Sequence, residues 1–278
     1  GIRDRSPSRG LGDVYKRQAM FGGSVFLFPH PVKELADFLK GHDMHINYDA
    51  AHVAGLIAGG KFQDPLREGT DTMTMSTHKT LFGPQGGLVL GFDRHEESIK
   101  KAMFPGLTSS HHIHHMAGKA VAFAEALEFG KDYAAQTINN AKALAAELNN
   151  VGFKVLGEKR GYTESHQTVV NVLDYGDGGT IEADLEKANI IVNRQLIPGD
   201  LKAKRHYMHP GGIRLGTSEI TRLGMKEPEM KEIASMIKDV VIDKKDPSEM
   251  TGKVAEFRKE FQKTQYCFDN KLGAYEYV

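Results

Sequence analysis

The chain has 278 residues, with 36 basic and 36 acidic side chains and a hydrophobic fraction of 40%. This length suggests about two domains, and the apolar fraction is sufficient for a buried core. The balanced charge does not favour a surface for nucleic acid or anionic membrane, and no apolar run approaches the roughly 20 residues of a membrane-spanning helix. The single cysteine, Cys267, excludes an internal disulfide and fits a reducing compartment, so we expect a cytoplasmic protein.

The first eighteen residues, Gly1–Gln18, differ from the rest of the chain. They carry five basic and two acidic side chains, show no apolar periodicity, and lack the apolar centre of a signal peptide. We expect this segment to be a non-native leader, such as translated linker sequence, and leave it out of the fold prediction. The alternative is a native, disordered basic arm.

Strand-like and helical segments alternate between residues 24 and 92, which favours an α/β layer with a mostly parallel sheet. A Gly-Pro-Gln-Gly-Gly break at 83–87 precedes the last of these strands. The predicted strands are Ser24–Phe28, Met44–Asp49, Asp71–Met75 and Gly87–Phe92, and the predicted helices are Pro31–Leu39 and Val53–Gly60.

The second half of the chain begins with a strong helical pattern over His114–Phe129, which Gly130 is placed to end. A second helix is predicted over Tyr133–Leu148. An α+β pattern follows, which predicts a smaller domain from residue 128 to the C-terminus. Its predicted strands are Phe153–Leu156, Thr168–Asp174, Ile190–Leu196 and Gly212–Gly216, and its predicted helices are Ile181–Ala188, Pro228–Val241 and Lys253–Gln262.

Two residues at predicted strand ends suggest cofactor chemistry. Asp49 ends one strand, and Lys79 follows another within Ser-Thr-His-Lys-Thr, just before the glycine-rich segment. Pyridoxal 5′-phosphate (PLP) needs a lysine for its Schiff base and a carboxylate for its pyridinium nitrogen, and ligands of open α/β sheets bind at the carboxyl ends of strands. The alternatives, a turn-capping aspartate and a solvated lysine, are less favoured because His52 and the glycine-rich flank accompany the pair.

Two further side chains are candidates for the same site. His52 follows Asp49 by three residues, where an imidazole could stack near a cofactor ring or hydrogen-bond its phenolic oxygen or a substrate carboxylate. Arg214, within Gly-Gly-Ile-Arg-Leu-Gly-Thr, is the best carboxylate clamp in the second half, because a guanidinium fork matches a carboxylate with two hydrogen bonds. The alternative for Arg214 is a surface ion pair.

A dense histidine cluster precedes the strong helix. His111 and His115 have the four-residue spacing with which two helical histidines can bind zinc. We nevertheless expect no metal and favour a loop leading into the helix, close to phosphate or to a subunit interface.

Together these motifs resemble the glycine/serine hydroxymethyltransferase family, PLP-dependent enzymes of the aspartate-aminotransferase fold type (fold type I). The resemblance runs from about Ser24 to the C-terminus. The matching segments are Asp49–Ala58, Thr77–Thr80, Gly83–Gly87, Phe104–Gly106, Val192–Arg194, Pro198–Asp200 and Gly212–Thr217.

The resemblance implies an α/β fold of the PLP-dependent transferase fold type I. Residues 19–127 would be the C-terminal part of the large, PLP-binding domain, with a mostly parallel sheet, and 128–278 the small α+β domain. It further implies that PLP is the cofactor, that serine and glycine are substrates, and that tetrahydrofolate or a related pterin carries the hydroxymethyl carbon.

The resemblance also implies residue roles. Lys79 holds PLP covalently and Asp49 contacts the pyridinium nitrogen. His52, together with Ser24, lies near the phenolic oxygen. Ser76 and His78 help to seat the cofactor. Arg214 binds the substrate carboxylate, and Asn193 contacts the pterin carrier.

The sequence also departs from the family pattern. The threonine run before His-Lys is interrupted by Met75 and Ser76, and Ser109-Ser110 replaces a Gly-Gly pair at which a neighbouring subunit's backbone meets the phosphate. These departures suggest a divergent branch with another pterin carrier. The family's sites are shared between subunits, so we expect a homodimer in the intact protein.

A long upstream stretch of the family has no counterpart here, so we expect the chain to be a C-terminal fragment. Alone it would be poorly soluble and inactive, because half of a parallel sheet leaves an unpaired edge. Two alternatives stay open. One is a PLP-dependent aldolase or decarboxylase that acts on a β-hydroxy amino acid without a pterin; the other is a non-catalytic relative that acts by binding.

Overall fold

The computed structural model describes residues 18–39, 41–42, 44–271 and 273–274. The predicted leader lies outside the described residues except for Gln18, which begins the first strand. Among the described helices, none combines the length and the apolar character that crossing a membrane requires.

The described chain forms two four-stranded sheets and a set of helices around them. The strands are β1 (Gln18–Gly22), β2 (His45–Asp49), β3 (Thr72–His78), β4 (Phe82–Gly91), β5 (Lys154–Val155), β6 (Gln167–Asn171), β7 (Asn193–Gln195) and β8 (Gly212–Gly216). The α-helices are α1 (Val32–Leu39), α2 (Ala54–Ala58), α3 (Pro65–Glu68), α4 (Glu96–Lys101), α5 (Ile113–Asn150), α6 (Gly178–Lys187), α7 (Ser218–Arg222), α8 (Glu227–Val241) and α9 (Pro247–Arg258).

The first sheet has the order β1-β2-β3-β4 and is mostly parallel, as the alternation of strands and helices predicts. β1, β2 and β3 run in the same direction, and β4 returns antiparallel to β3. The register sets Gly22 beside Asp49 and Asp49 beside Thr74. The carboxyl ends of the three parallel strands therefore meet along one edge of the sheet.

The strand predicted over Ser24–Phe28 is wrong, because the first strand ends at Gly22. The backbone of the predicted segment is instead bonded to a side chain from the second half of the chain. Gln167 accepts the Phe26 amide N–H at 2.7 Å and donates to the Ser24 carbonyl at 3.0 Å. Phe26 is buried, which explains why its apolar pattern resembles that of a strand.

The glycine-rich segment at 83–87 is not a break but the first half of β4. It forms a hairpin with β3, whose register shifts between Ser76 and His78. At this irregularity Thr77 Oγ1 donates to the Pro84 carbonyl at 2.7 Å. The turn of this hairpin holds Lys79.

The two helices predicted on either side of Gly130 are one continuous helix, α5. Gly130 is buried and packs on Gly59 at the end of α2, where a Cβ added to Gly59 would lie 2.4 Å from the Gly130 carbonyl oxygen. Gly59 is therefore the glycine that this close approach of two helices requires, and Gly130 lies within α5 without ending it. Because α5 packs on both sheets, the domain boundary between 127 and 128 stays a prediction.

The second sheet has the order β5-β6-β8-β7 and all its pairings are antiparallel. Helices α6, α8 and α9 and the end of α5 enclose its core, which contains Leu148, Leu185, Ile213 and Ile237. A separate core under the first sheet contains Tyr48. The predicted α+β character of the second half is confirmed, with Pro228 at the second position of α8 instead of the first.

Candidate active site between the two sheets

A cavity of about 510 Å³ lies where the carboxyl edge of the first sheet meets the second sheet. It brings together five of the side chains that the sequence predicts for the site, although they are far apart in the chain. These five are His52, His78, Lys79, Asn193 and Arg214.

Asp49 and Lys79 belong to the same edge of the first sheet. Asp49 is the last residue of β2, and Lys79 follows β3, its parallel neighbour. Asp49 Oδ1 accepts the Ala51 amide N–H at 3.0 Å, and no described residue is bonded to Oδ2. Gly22 is required beside this strand end, because a Cβ there would lie 2.2 Å from the Asp49 carbonyl oxygen.

The loops that follow β2 and β3 are joined beside the lysine. Lys79 Nζ lies 3.3 Å from His52 Nε2. Thr80 Oγ1 donates to the His52 carbonyl at 2.8 Å and accepts the Gly55 amide N–H at 3.0 Å. A Cβ on Gly55 would lie 2.0 Å from the Thr80 carbonyl oxygen, so only glycine permits this approach.

Gln167 determines which nitrogen of His52 carries a proton. Its Oε1 accepts the Phe26 amide N–H, so its Nε2 is the group that donates to His52 Nδ1, at 3.2 Å. A neutral imidazole that accepts at Nδ1 carries its proton on Nε2. His52 therefore presents an N–H toward Lys79 Nζ, which can accept it only as the neutral amine.

Two stacked imidazoles stay neutral over the physiological pH range. The rings of His52 and His166 lie 6.0 Å apart with an angle of 13° between their planes. Burial, helped by the charges of Lys79 and Arg214, lowers the pKa of His52 to about 4. Burial and the nearby His52 lower the pKa of His166 to about 3. Neither imidazole therefore adds positive charge to the cavity.

Arg214 reaches the cavity from the middle of β8 and is held on two sides. Its Nη1 donates to the Ser24 carbonyl at 2.6 Å, and its Nη2 donates to Asn193 Oδ1 at 3.2 Å. No acidic partner of Arg214 occurs in the part of the chain that the structure describes, which argues against a surface ion pair. Burial lowers its pKa, although the nearby Tyr207 acts in the opposite direction. The guanidinium is thus a fixed cation with donors to spare.

Three residues predicted for the site do not line the cavity. Asp49 stands behind it at the strand end, and Ser76 lies on β3 opposite Gly87. Ser24 contributes its carbonyl oxygen, while its side chain is exposed. His78 does line the cavity, and its Nδ1 accepts the Gly86 amide N–H at 3.3 Å. The cofactor contacts expected of Ser24 and Ser76 remain predictions.

Sequence reasoning missed several residues of the cavity wall, and two of them, His166 and Gln167, lie beside His52. Both are buried, and the His166 Nδ1 atom has no hydrogen-bond partner among the described residues. Neither lies in a motif with a recognisable spacing. Their only sequence signal is a run of polar residues at the start of an apolar strand.

The histidine cluster before α5 does not have the geometry expected of a helical zinc pair. His111 precedes the helix, which begins at Ile113. The ring contacts instead join His112, His114 and His115, with centroids 4.4–5.5 Å apart. Among the described residues, the group whose donor atoms could surround a metal ion is His45, Asp71 and His95, at one end of the first sheet.

The residues in and beside the cavity fit PLP. An amine and a carboxylate stand at the ends of neighbouring parallel strands, which are the two protein groups that this cofactor needs. An imidazole N–H beside the amine and a fixed guanidinium across the cavity favour an anionic ligand. The unpartnered His166 Nδ1 adds a further polar atom to the wall.

Comparison with known proteins agrees with this chemistry. The family model for serine hydroxymethyltransferase matches residues 22–237. The chain is 80% identical over 260 residues to the serine hydroxymethyltransferase of Nitrosopumilus maritimus (strain SCM1), and 75% identical to that of Cenarchaeum symbiosum (strain A). Each alignment covers 94% of this chain and 59% of the relative, so the chain spans about three fifths of their length.

A solved structure with the same fold is the L-threonine transaldolase from Pseudomonas fluorescens in its internal aldimine state. The TM-score is 0.82 at 34% identity, and the match covers 92% of this chain and 58% of that chain. The architecture is therefore the PLP-dependent fold type I that the motifs predict.

Proposed function

Since the chain belongs to the serine hydroxymethyltransferase family, we propose that the full-length protein interconverts serine and glycine. The hydroxymethyl carbon passes to tetrahydrofolate or a related pterin. The observation that carries this proposal is the convergence of Lys79, His52 and Arg214 on one cavity, at the strand edge that ends in Asp49.

In this proposal Lys79 Nζ would hold PLP, and Asp49 would bond the pyridinium nitrogen through Oδ2, which has no partner among the described residues. When bound, PLP withdraws electrons from the bonds at the substrate's α-carbon. Asp49 suits its role because Oδ1 is already bonded to the Ala51 amide, which fixes the orientation of the carboxylate. The hydrogen bond from Thr80 Oγ1 to the His52 carbonyl holds Lys79 at the end of β3, beside the end of β2 that carries Asp49.

Arg214 binds the substrate carboxylate. Two of its five donors are committed to Ser24 and Asn193, so the fork is oriented before the substrate arrives. Asn193 acts through Arg214, and its exposed position also leaves it available to the pterin carrier.

His52 serves as a neutral hydrogen-bond donor. Its low pKa excludes the imidazolium form at physiological pH, and Gln167 holds the proton on Nε2. This nitrogen can donate to an oxygen of the bound cofactor or substrate beside Lys79. His78 lies at the rim of the cavity, and Ser76 and Ser24 complete the proposed cofactor contacts.

The full-length protein forms a homodimer through α5 in this proposal. Ile113, Met116 and Leu127 are 76%, 51% and 90% exposed, and with the exposed Ala120 they follow one another at intervals of three, four and seven residues along the helix. Such a stripe is the seam on which two helices pack, and an apolar patch of this kind marks a protein interface.

Sedimentation of the full-length protein tests this interface. Leu127→Asp places a charge in the seam and should shift the protein to monomer. Ile191→Asp, at a position that is 77% exposed and far from α5 in the chain, should leave the dimer intact. A Leu127→Asp protein that stays dimeric contradicts the proposed seam.

A second candidate function rests on the transaldolase neighbour, whose name refers to L-threonine. The same cavity could cleave a β-hydroxy amino acid without a pterin carrier. The 80% identity to the serine hydroxymethyltransferase of Nitrosopumilus maritimus favours the pterin-dependent reaction. We also propose a cytoplasmic location, on the basis of the single cysteine.

The test is the formation of glycine from serine by the full-length protein, with and without tetrahydrofolate. We expect turnover that requires the carrier, that disappears in Lys79→Ala, and that survives in Lys231→Ala, which removes an exposed lysine on α8. Carrier-independent turnover would favour the second candidate. Turnover that survives in Lys79→Ala would contradict both.

A further inference from the structure

A second group of side chains, of the types that bind metal ions, lies at the opposite ends of the strands of the first sheet from Lys79. His45 is the first residue of β2, Asp71 directly precedes β3, and His95 ends the short 3-10 helix that follows β4. Three successive strands therefore each bring one side chain to the same place. The proposed PLP reaction does not use this group.

The spacing of the donor atoms suits a metal ion. One ligand atom from each of the three side chains lies within 4.8 Å of the other two. His95 Nε2 is 3.4 Å from Asp71 Oδ1, and His45 Nδ1 is 4.0 Å from Asp71 Oδ2. Two ligands bonded at about 2.1 Å to one tetrahedral ion are separated by about 3.4 Å, so only small adjustments are needed.

The hydrogen bonds around His45 leave its metal-facing nitrogen unprotonated. Thr72 Oγ1 donates to Asn47 Oδ1 at 2.9 Å, so its lone pairs accept the proton on His45 Nε2, at 2.8 Å. The lone pair of His45 then lies on Nδ1, the nitrogen nearer to Asp71. A bond from the other ring nitrogen to a fixed acceptor is typical of metal-ligating histidines.

A cation already occupies the neighbourhood of this carboxylate. The Arg94 guanidinium donates to Asp71 Oδ1 at 2.6 Å and, through Nε, to His95 Nε2 at 3.0 Å. His95 Nε2 accepts this bond in the tautomer that carries its proton on Nδ1, whereas in the other tautomer it donates to Asp71 Oδ1 at 3.4 Å. Metal binding requires the first tautomer, with the lone pair on Nε2. Arg94 is 58% exposed in its side chain and can swing out to solvent, whereas Asp71 is only 19% exposed.

We propose that His45, Asp71 and His95 form a binding site for a borderline divalent ion of the zinc class, which displaces the Arg94 side chain. Two imidazoles and a carboxylate are the ligands that such ions prefer. Water fills the remaining coordination position. The ion joins the amino ends of β2 and β3 to the carboxyl end of β4. The other ends of β2 and β3 present Asp49 and Lys79, so the ion stabilises the sheet that carries the proposed active site.

Titration of the metal-free full-length protein with Zn²⁺, measured by calorimetry and by the visible spectrum of the Co²⁺ form, tests this proposal. We expect one site of micromolar affinity or better. His45→Ala and His95→Ala should each weaken binding at least tenfold, and Arg94→Gln should strengthen it, because the competing cation is gone. Added Zn²⁺ should raise the melting temperature of the wild type but not of His95→Ala.

The histidine cluster before α5, formed by His112, His114 and His115, provides the matched control. Replacing all three by alanine should leave the affinity for Zn²⁺ unchanged. The proposal is overturned if no binding occurs, if both His45→Ala and His95→Ala bind as the wild type does, if the triple variant loses binding, or if Arg94→Gln binds more weakly. The Arg94→Gln result keeps the test decisive should an alanine variant fold poorly.

Discussion

The two sheets contribute to the cavity in different ways. The parallel sheet places Asp49 and Lys79 at the ends of neighbouring strands, where their loops are free to meet a ligand. The antiparallel sheet supplies Arg214 and Gln167 from within its paired strands, so they reach the cavity with their side chains alone. The parallel sheet thus provides the reactive groups, and the antiparallel sheet provides side chains that are held in fixed positions for binding a ligand.

Gln167 connects the antiparallel sheet to the parallel sheet and its loops. It bonds the 24–26 segment and His52 through three hydrogen bonds, and Arg214 bonds the same segment at the Ser24 carbonyl. The position of Arg214 relative to Lys79 thus depends on contacts between the sheets. Changes on either side should affect different measurable quantities.

The largest effect is expected from Arg214→Gln. If Arg214 binds the substrate carboxylate, kcat/KM for serine should fall by about 10²–10³-fold, equivalent to about 3–4 kcal/mol, because a charged bidentate contact is lost. Steady-state kinetics of the full-length protein measure this loss. Arg67→Gln, which removes an exposed arginine paired with Asp64, is the control and should have no effect. An unchanged kcat/KM in Arg214→Gln would contradict the assignment.

Gln167→Leu should loosen the connection between the sheets. It leaves the buried Phe26 amide N–H without a partner, so we expect a loss of about 1–3 kcal/mol in the free energy of unfolding. The control is Gln262→Leu, because Gln262 is exposed and its side chain donates to the Arg258 carbonyl, four residues earlier. Denaturant unfolding measures both variants. Equal stability of the two would mean that Gln167 does not hold the sheets together.

The stability of the fold should depend on pH through the two stacked imidazoles. Both have a pKa far below 6.5 when folded, so the unfolded chain binds protons that the folded chain does not. Their contribution is complete above pH 6.5 and is lost as the pH falls toward 3–4.

Comparing the wild type with His166→Phe separates the contribution of His166 to the pH dependence of stability from the contribution of the carboxylates. The buried His166 should account for a loss of about 3 kcal/mol or more between pH 7 and pH 4. The variant should therefore show a flatter profile of unfolding free energy against pH. Parallel profiles would exclude a proton-linked role for His166.

The smallest effects concern the two glycines at the contact between α2 and α5, Gly59 and Gly130. Gly59→Ala should destabilise by about 2 kcal/mol, because its Cβ would lie 2.4 Å from the Gly130 carbonyl oxygen. Gly130→Ala should stabilise by about 0.5–1 kcal/mol, since its Cβ meets only ordinary contacts and alanine favours the helix. Thermal melts of both variants test this sign difference, and equal shifts would contradict the packing described.

The sequence predicts the first sheet's contribution better than the second's, for a physical reason. Asp49 and Lys79 are recognisable because their roles depend on local strand ends and glycine-rich turns. The structure at Ser24–Phe28 depends on Gln167, which lies 141 residues after Phe26, so no local pattern could reveal it. Gly130 is misleading for the same reason, since its partner Gly59 determines its role.

The most direct test of the account is to locate PLP on the full-length protein. PLP is added, borohydride fixes it to the amine that holds it, and peptide mass mapping identifies the labelled lysine. We predict label at Lys79, absent from Lys79→Ala and retained in Lys231→Ala. Label distributed over surface lysines, equal in the wild type and Lys79→Ala, would contradict the cavity between the two sheets as the cofactor site.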